Sequence, residues 1–308
     1  MPKKSKLDSN RKKILTPEDI GWHFKEISRN VHTIEINFDD KYTEQKVLLQ
    51  SDVHWDNPKT NRKLLLKHLN QAKEFNAPII DAGDWFCAMQ GKYDPRSVKN
   101  DIRPEHNNAQ YLDSLVETSA AFLEPYKHLL TVRGQGNHET SILKRHETNL
   151  TERLVERLKS NGSIAKLGGY SGWVRFLLRR THNGGSQESF RLWYHHGWGG
   201  GGPVTRGTIQ TARIGAYVDS DITLSGHTHD SWIMPLERLK LNNNNRIIKY
   251  RQVHVRTPGY KEEYDDGYGG WHIERGGPPK SLGAAWLTIK TQHPNTGYPF
   301  VFDVVEAK

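Results

Sequence analysis

The sequence predicts an α/β chain on the border with α+β, built as two facing β-sheets flanked by helices. Three observations point there. Up to residue 158, short apolar runs of strand type alternate with segments of helical spacing. After Gly168 the runs are mostly strands. Five of these runs end in short motifs of Asp, His, Asn and Gly, at the strand edge where open α/β sheets bind ligands.

In chain order, residues 1–16 read as a basic arm without fixed structure, and 17–308 as one domain. Val31 to Phe38 (VHTIEINF) alternates apolar and polar and predicts a half-buried strand. Lys46 to Ser51 is a short buried-type run that ends in Asp52-Val53-His54-Trp55-Asp56. Leu65, Leu69, Ala72 and Phe75 have the spacing of one helix face over about 60–75. Pro78 to Asp81 is another strand and leads to Gly83-Asp84. Residues 86–107, broken by Gly91, Pro95 and Pro104, read as an active-site loop. A helix over about 109–123 follows, then the run Leu129 to Val132. That run enters Gly134-Gln135-Gly136-Asn137-His138-Glu139, a strand, a glycine turn and a helix start. Residues 151–158 are helical.

Strands are expected near 173–178 and 190–194, joined by the polar turn 182–185. The second runs into His195-His196-Gly197 and a glycine run, 199–202. A helix is expected over 207–218, then a strand at 221–225 that ends in Gly226-His227-Thr228-His229. Strands near 232–239 and 247–255 turn at Asn242 to Asn245. A Gly/Tyr-rich loop, 259–280, precedes two last strands near 284–291 and 299–305.

Composition narrows the class. The 308 residues are 26% charged and 35% hydrophobic, within the globular range. No apolar run reaches the roughly 18–20 residues of a membrane helix, and the N-terminus lacks a signal-peptide core. The single cysteine, Cys87, excludes an intrachain disulfide, so a cytoplasmic setting is expected. Net charge is +9, of which residues 1–13 carry +5. The excess suggests a polyanionic partner; the arm either touches nucleic acid or is a solvated tail.

The five motifs are Asp52-x-His54, Gly83-Asp84, Gly136-Asn137-His138, His195-His196-Gly197 and Gly226-His227-x-His229. Together they supply carboxylates, imidazoles and an amide oxygen, a set suited to Mn, Fe, Zn or Ni and poorly suited to Ca. Alternate strand residues share a face, so Asp52 with His54, and His227 with His229, can enter one cavity.

In this order, D-x-H, G-D, G-N-H-E, H-G and G-H-x-H, the chain resembles the calcineurin-like metallophosphoesterase superfamily, over residues 52 to 229. The resemblance implies a four-layer αββα sandwich of two mixed β-sheets with a dinuclear centre at the strand ends. It implies that Asp52, His54 and His229 hold one metal, that Asn137, His196 and His227 hold the other, and that Asp84 bridges them. Either His195 or His196 can fill the His-Gly position; His196 is preferred because the family often shows His-Gly there. His138 would act near the scissile phosphate without binding metal. The implied cofactor is two divalent ions, Mn²⁺ first, with Fe, Zn or Ni as alternatives. The implied chemistry is in-line attack by a metal-bridging hydroxide.

Gly83-Asp84-Trp85-Phe86 is closer to the G-D-L-F of the DNA-repair nuclease branch than to the G-D-x-V-D-R-G of protein phosphatases. Cys87 stands where the partner of the catalytic histidine is usual, so His138 must be oriented from elsewhere. The thiol itself reads as a small packed group. Trp55, Trp85 and Trp198 sit beside ligand positions and would either stack bases or pack the rim. Residues 199–202 with Arg206 form either a phosphate cradle or a hinge. If loop 259–280 folds back over the site, Tyr260, Lys261, Trp271, His272 or Arg275 would select substrate; otherwise it is a surface excursion or a subunit contact. The expected activity is hydrolysis of DNA or RNA phosphodiesters. A phosphomonoesterase or small-nucleotide hydrolase is the rival, and an inactive scaffold is third.

Overall fold

In the computed structural model the residues described are 21–90, 94–98, 101–180, 186–200, 202, 204–292 and 299–308. The arm 1–16, the turn 182–185 and Gly201 of the glycine run lie outside them.

The chain begins with β1 (Gly21–Ser28) and β2 (Val31–Phe38), an antiparallel pair. β1 has no clear period because most of its side chains lie at an exposed sheet edge, and sequence patterning passed over it. β3 (Glu44–Gln50), β4 (Ile79–Asp81) and β5 (Leu130–Arg133) run parallel in the middle of one sheet. Helices α1 (Arg62–Glu74) and α2 (Tyr111–Leu123) connect them. α3 (Asn137–His146), α4 (Leu150–Ser160) and the short β6 (Lys166–Leu167) follow. β7 (Ser171–Arg180) and β8 (Gln187–His195) form a hairpin. Next come α5 (Thr208–Tyr217), β9 (Ile222–Ser225), β10 (Trp232–Leu241) and β11 (Ile247–Arg256). The single turn α6 (Trp271–Glu274), β12 (Ala284–Thr291) and β13 (Phe300–Ala307) complete the chain.

The strands form two mixed sheets. One has the order β1-β2-β7-β8-β9-β11-β10, the other β13-β12-β3-β4-β5-β6. Their facing sides enclose one core, with Ile34, Ile36, Leu49, Ile80, Val132, Phe176, Leu192 and Leu224 all buried. A second core lies between the six-stranded sheet and the helices; Leu65 and Leu69 of α1, Leu115 of α2 and Leu154 of α4 fill it. On the far side α5 packs Ile214 and Val218 against Trp193. The layers are therefore helices, sheet, sheet and helix, the α/β sandwich predicted from the alternation of elements. Among the described residues no helix is long and apolar enough to cross a membrane.

The topology also collects the motifs. β3, β4 and β5 are parallel neighbours, so the residues after them emerge at one edge of the first sheet. β8 and β9 are parallel neighbours in the second sheet, and their ends converge on the same place.

Candidate metal centre

Tight backbone geometry holds the ligand candidates. Asp52, His54, Asp84, His227 and His229 all have left-handed φ, between 50° and 73°. Few non-glycine residues adopt that region, and such residues cluster where a structure over-determines them. The over-determination is visible here. Asp52 N–H donates to the Gly83 carbonyl at 2.9 Å, and His54 N–H to the Asp84 carbonyl at 3.0 Å. His227 N–H donates to Asp52 Oδ2 at 2.9 Å, and the Ser51 hydroxyl bonds the same oxygen. His138 N–H donates to Asp84 Oδ1 at 3.0 Å.

Two motif glycines lie against the carboxylates. A Cβ at Gly136 would overlap the Asp84 carboxylate and come within 2.6 Å of the Asp84 nitrogen. A Cβ at Gly226 would overlap Asp52 Oδ2 and lie 2.8 Å from Ser51 Cβ. The requirement for glycine is close approach to the carboxylates more than a special turn angle.

All seven ligand candidates come together. Asp52, His54 and His229 form one group, and Asp84, His196 and His227 a second. In the first, His54 Nε2 and His229 Nε2 are 3.2 Å apart, and they lie 4.0 and 3.4 Å from Asp52 Oδ1. In the second, His196 Nε2 is 3.0 Å from Asp84 Oδ2 and 3.1 Å from Asn137 Oδ1. His227 Nδ1 is 2.7 Å from Asn137 Oδ1. His196 Nε2 is also 4.0 Å from Asp52 Oδ1, which links the groups.

The donors fit divalent ions. Two ligand atoms each about 2.1 Å from one ion lie about 3.0 Å apart at a right angle and about 3.4 Å apart at the tetrahedral angle. Most of the spacings above fall near that range. Asp52 Oδ1 is buried without a hydrogen-bond donor and is surrounded by three imidazole nitrogens. A buried anionic oxygen in that position calls for a cation.

The electrostatics agree. Burial alone would raise the Asp52 and Asp84 carboxyls, yet His196 and the other neighbouring imidazoles hold both well below the usual range. Burial, then the neighbouring His138 and His229, pushes His54 well down, toward the neutral form a ligand needs. For His196 burial is outweighed by Asp84 and then Asp52, which push it up to about 10. One imidazole thus answers two buried carboxylates, a task that ions would take over.

His196 is the histidine brought into the site and is fully buried, with Nδ1 3.2 Å from the Ala82 carbonyl. His195 turns away and stacks edge-on with Trp198 and Tyr170; burial lowers it to about 4. The missing partner of His138 is the backbone of the residue that replaces it. His138 Nδ1 lies 2.6 Å from the Cys87 carbonyl oxygen. Asp56 fixes that loop, accepting from Cys87 N–H at 2.7 Å, Ala88 N–H at 2.9 Å and the Tyr111 hydroxyl at 2.9 Å. The Cys87 thiol is buried and pushed up to about 12 by burial and then by Asp56, so it is an unreactive packed group.

Sequence reasoning gave no role to Glu139, although it is part of the G-N-H-E motif. It is buried and accepts from the N–H groups of Asp84, Phe86 and Gly136 at 3.1, 2.9 and 2.8 Å. It ties the second motif to the third. Asp56 was also missed; its place two residues after His54 was the available signal.

The proposed substrate side needs correction. Trp55, Trp85 and Tyr260 are buried in the helix-side core and offer no face to a substrate. Their polar edges are used internally: Trp55 Nε1 meets Thr118, Trp85 Nε1 meets Ser119 and the Tyr260 hydroxyl meets His68. Arg133 stacks on Trp85 and pairs with Asp81 at 3.2 Å, so that ring is covered by a buried ion pair. Trp198 is partly buried against the α5 core. Arg206 is exposed, at φ 44°, and its carbonyl accepts from Trp232 Nε1 at 3.2 Å. The side chain of Trp271 lies outside the described residues. The start of loop 259–280 does return to the site: Tyr260 N–H donates to the Asp52 carbonyl at 3.0 Å.

No protein-family model matches this chain, and no curated protein matches it in sequence.

Proposed function

We propose that this chain is a dinuclear metal-dependent phosphoesterase and that its substrate is a phosphodiester of DNA or RNA. The observation that carries the reading is the convergence of seven oxygen and nitrogen donors from five separate motifs, in two groups linked through His196. Asp52, His54 and His229 would hold one ion, Asn137, His196 and His227 the other, with Asp84 between them. Two divalent ions there would neutralise phosphate charge and supply the nucleophile.

The chain's own contribution is placement. Glu139 holds the Asp84 backbone N–H, Gly136 leaves room for the Asp84 carboxylate, and Gly226 does the same for Asp52. With His138 Nδ1 turned to the Cys87 carbonyl, Nε2 is the atom left to meet an ester leaving oxygen. That nitrogen can hand over a proton when the ring is charged. The basic excess of the chain favours a polyanionic substrate.

A second reading, a phosphomonoesterase or small-nucleotide hydrolase, is favoured by one observation. Trp55, Trp85 and Tyr260 are in the core, which leaves fewer rings at the rim for successive bases. The experiment is incubation with Mn²⁺ and a panel of single- and double-stranded DNA, RNA, bis-aryl and mono-aryl phosphates. Diester cleavage is expected to be abolished by chelator and by Asp84→Asn, and to fall about 10²- to 10⁴-fold in His138→Ala. Cleavage of the monoester alone would remove the nuclease reading. A purified protein with no affinity for divalent ions would leave the scaffold reading in its place.

A further inference from the structure

The segment Gly259 to Glu263 runs alongside the first group of candidate ligands. Gly259 has φ 85°, and a Cβ there would lie 2.7 Å from both Cβ and the carbonyl oxygen of Asp52. Only glycine lets the chain pass so close. The crossing is pinned along its length. Gly283 N–H donates to the Gly259 carbonyl at 2.7 Å, Asn61 N–H to the Tyr260 carbonyl at 2.8 Å and Glu262 N–H to the Lys59 carbonyl at 2.9 Å. Lys261 pairs with Thr60 as an isolated β-bridge, so its backbone is fixed beside the loop that follows His54.

Two charged side chains of this strap face the site. Glu263 Oε1 is 3.5 Å from His229 Nδ1 and 3.1 Å from Lys261 Nζ. The Lys261 side chain is 17% exposed. Its bridge partner Thr60 donates its hydroxyl to the His54 carbonyl at 2.5 Å, which places this part of the strap on the His54 side of the centre. Burial works against the Lys261 charge, and the neighbouring acidic groups, Glu263 first, more than offset it together. For fold stability alone this is a poor choice: a nearly buried ion pair is commonly no better than apolar side chains of the same volume. An ammonium there gains its use when an anion is present.

We propose that Lys261 binds a phosphoryl oxygen of the substrate and that Glu263 is a positioning residue, holding Lys261 and the Nδ1 edge of His229 from one carboxylate. This rests on the phosphoesterase reading above and deepens it. The ions would meet the phosphate from the sheet edge, and Lys261 would meet it from the strap. A compact ammonium suits a single phosphoryl oxygen, whereas a planar guanidinium would suit two. Glu263 also settles which ring nitrogen of His229 is free, because an Nδ1–H turned to the carboxylate leaves Nε2 toward Asp52 Oδ1.

The test uses the full chain with Mn²⁺, bis(4-nitrophenyl) phosphate as substrate and inorganic phosphate as inhibitor. Wild type, Lys261→Met, Lys261→Arg and Glu263→Gln are compared for kcat, KM, phosphate Ki and Mn²⁺ affinity by calorimetry. Lys261→Met is expected to raise KM and phosphate Ki at least tenfold, with kcat changed less and the Mn²⁺ isotherm unchanged. Lys261→Arg is expected to recover most of the phosphate affinity. Glu263→Gln is expected to weaken Mn²⁺ binding about tenfold as well as raising KM. Wild-type KM and Ki in Lys261→Met, with Mn²⁺ still bound, would overturn the proposal. If that variant does not fold, Lys261→Gln, with its shorter stem and no charge, decides by the same readouts. If wild type itself neither binds Mn²⁺ nor cleaves the ester, the phosphoesterase reading fails first, and the role of Lys261 falls with it.

Discussion

Glu139→Gln removes one negative charge and almost no volume, which makes it a sharp probe of what aligns the second and third motifs. The carboxylate is 1% exposed. Its Oε2 takes the N–H groups of Asp84 and Gly136, and its Oε1 takes that of Phe86. A glutamine has one acceptor oxygen to divide among three donors. Kept on Asp84 and Gly136, it turns its NH₂ toward the Phe86 N–H, donor against donor. Losing one bond to a charged acceptor removes about 1.5–3 kcal/mol, and a buried unsatisfied donor costs about 1–3 kcal/mol. An opposing term exists, because burial and then the Asp84 charge push the Glu139 carboxyl up to about 8, and a neutral amide relieves that. The net loss expected is about 2–3 kcal/mol, which at roughly 2 °C per kcal/mol for a domain of this size is a fall in Tm of about 4–6 °C. The assay is calorimetric melting of the metal-free protein beside wild type at pH 9, above the value of about 8, where the wild-type carboxylate carries its charge. A shift below about 1 °C would refute the claim that this carboxylate holds the two loops together.

Two further outcomes follow from buried groups. His68 and His254 are buried, bonded to the Tyr260 hydroxyl and to Thr223 Oγ1, and burial lowers both to about 4. Between that value and an unfolded value near 6.5 the unfolded chain binds more protons. Stability is therefore full above about pH 7 and lost as pH falls toward 4, by about 2 kcal/mol for each histidine after allowance for solvent screening. Melting curves from pH 7 to 4.5 check this: His68→Asn should flatten the profile, and an unchanged slope would count against it. Gly226→Ala is expected to weaken Mn²⁺ binding more than tenfold, because its Cβ overlaps Asp52 and Ser51, whereas Gly200→Ala meets nothing within 4 Å and should bind as wild type. Equal affinities for the two would remove the argument from close approach.

The fold, and the meeting of the five motifs at one place, were legible in the sequence for one reason. The parallel strands are short apolar runs, and each ends in a residue that has no business in a core unless something binds it. His196 could be preferred over His195 from its place before Gly197, and the structure turns it inward. What the sequence hid was contact between distant backbone groups. The partner of His138 is a carbonyl, at Cys87, and a carbonyl has no letter in the sequence. Glu263 lies 34 residues from His229, with nothing in its neighbours to mark it. The tryptophans misled for a related reason. Trp55 and Trp85 adjoin ligand candidates in the chain, but the backbone passes through left-handed turns at His54 and Asp84, and the next residue points into the helix-side core.

Those turns bear on stability as well as on placement. A left-handed residue costs about 1–2 kcal/mol, toward the low end for Asp and His, so five of them store about 5 kcal/mol. That is comparable with the whole stability of many domains, about 5–15 kcal/mol. The hydrogen bonds that Glu139 and Asp56 accept, and the one that Ser51 donates, offset part of it in the metal-free chain. Ions bound only by the folded state would offset the rest. At a hundredfold excess over Kd each contributes about 2.7 kcal/mol, so two contribute about 5 kcal/mol. Millimolar Mn²⁺ is therefore expected to raise Tm by about 10 °C at roughly 2 °C per kcal/mol, chelator to reverse the rise, and Asp84→Asn to lose more than half of it because the proposed bridging role would give that carboxylate to both ions. A rise below about 2 °C in wild type would mean that the strained turns are held by the protein alone, and that the seven donors do not form an ion site.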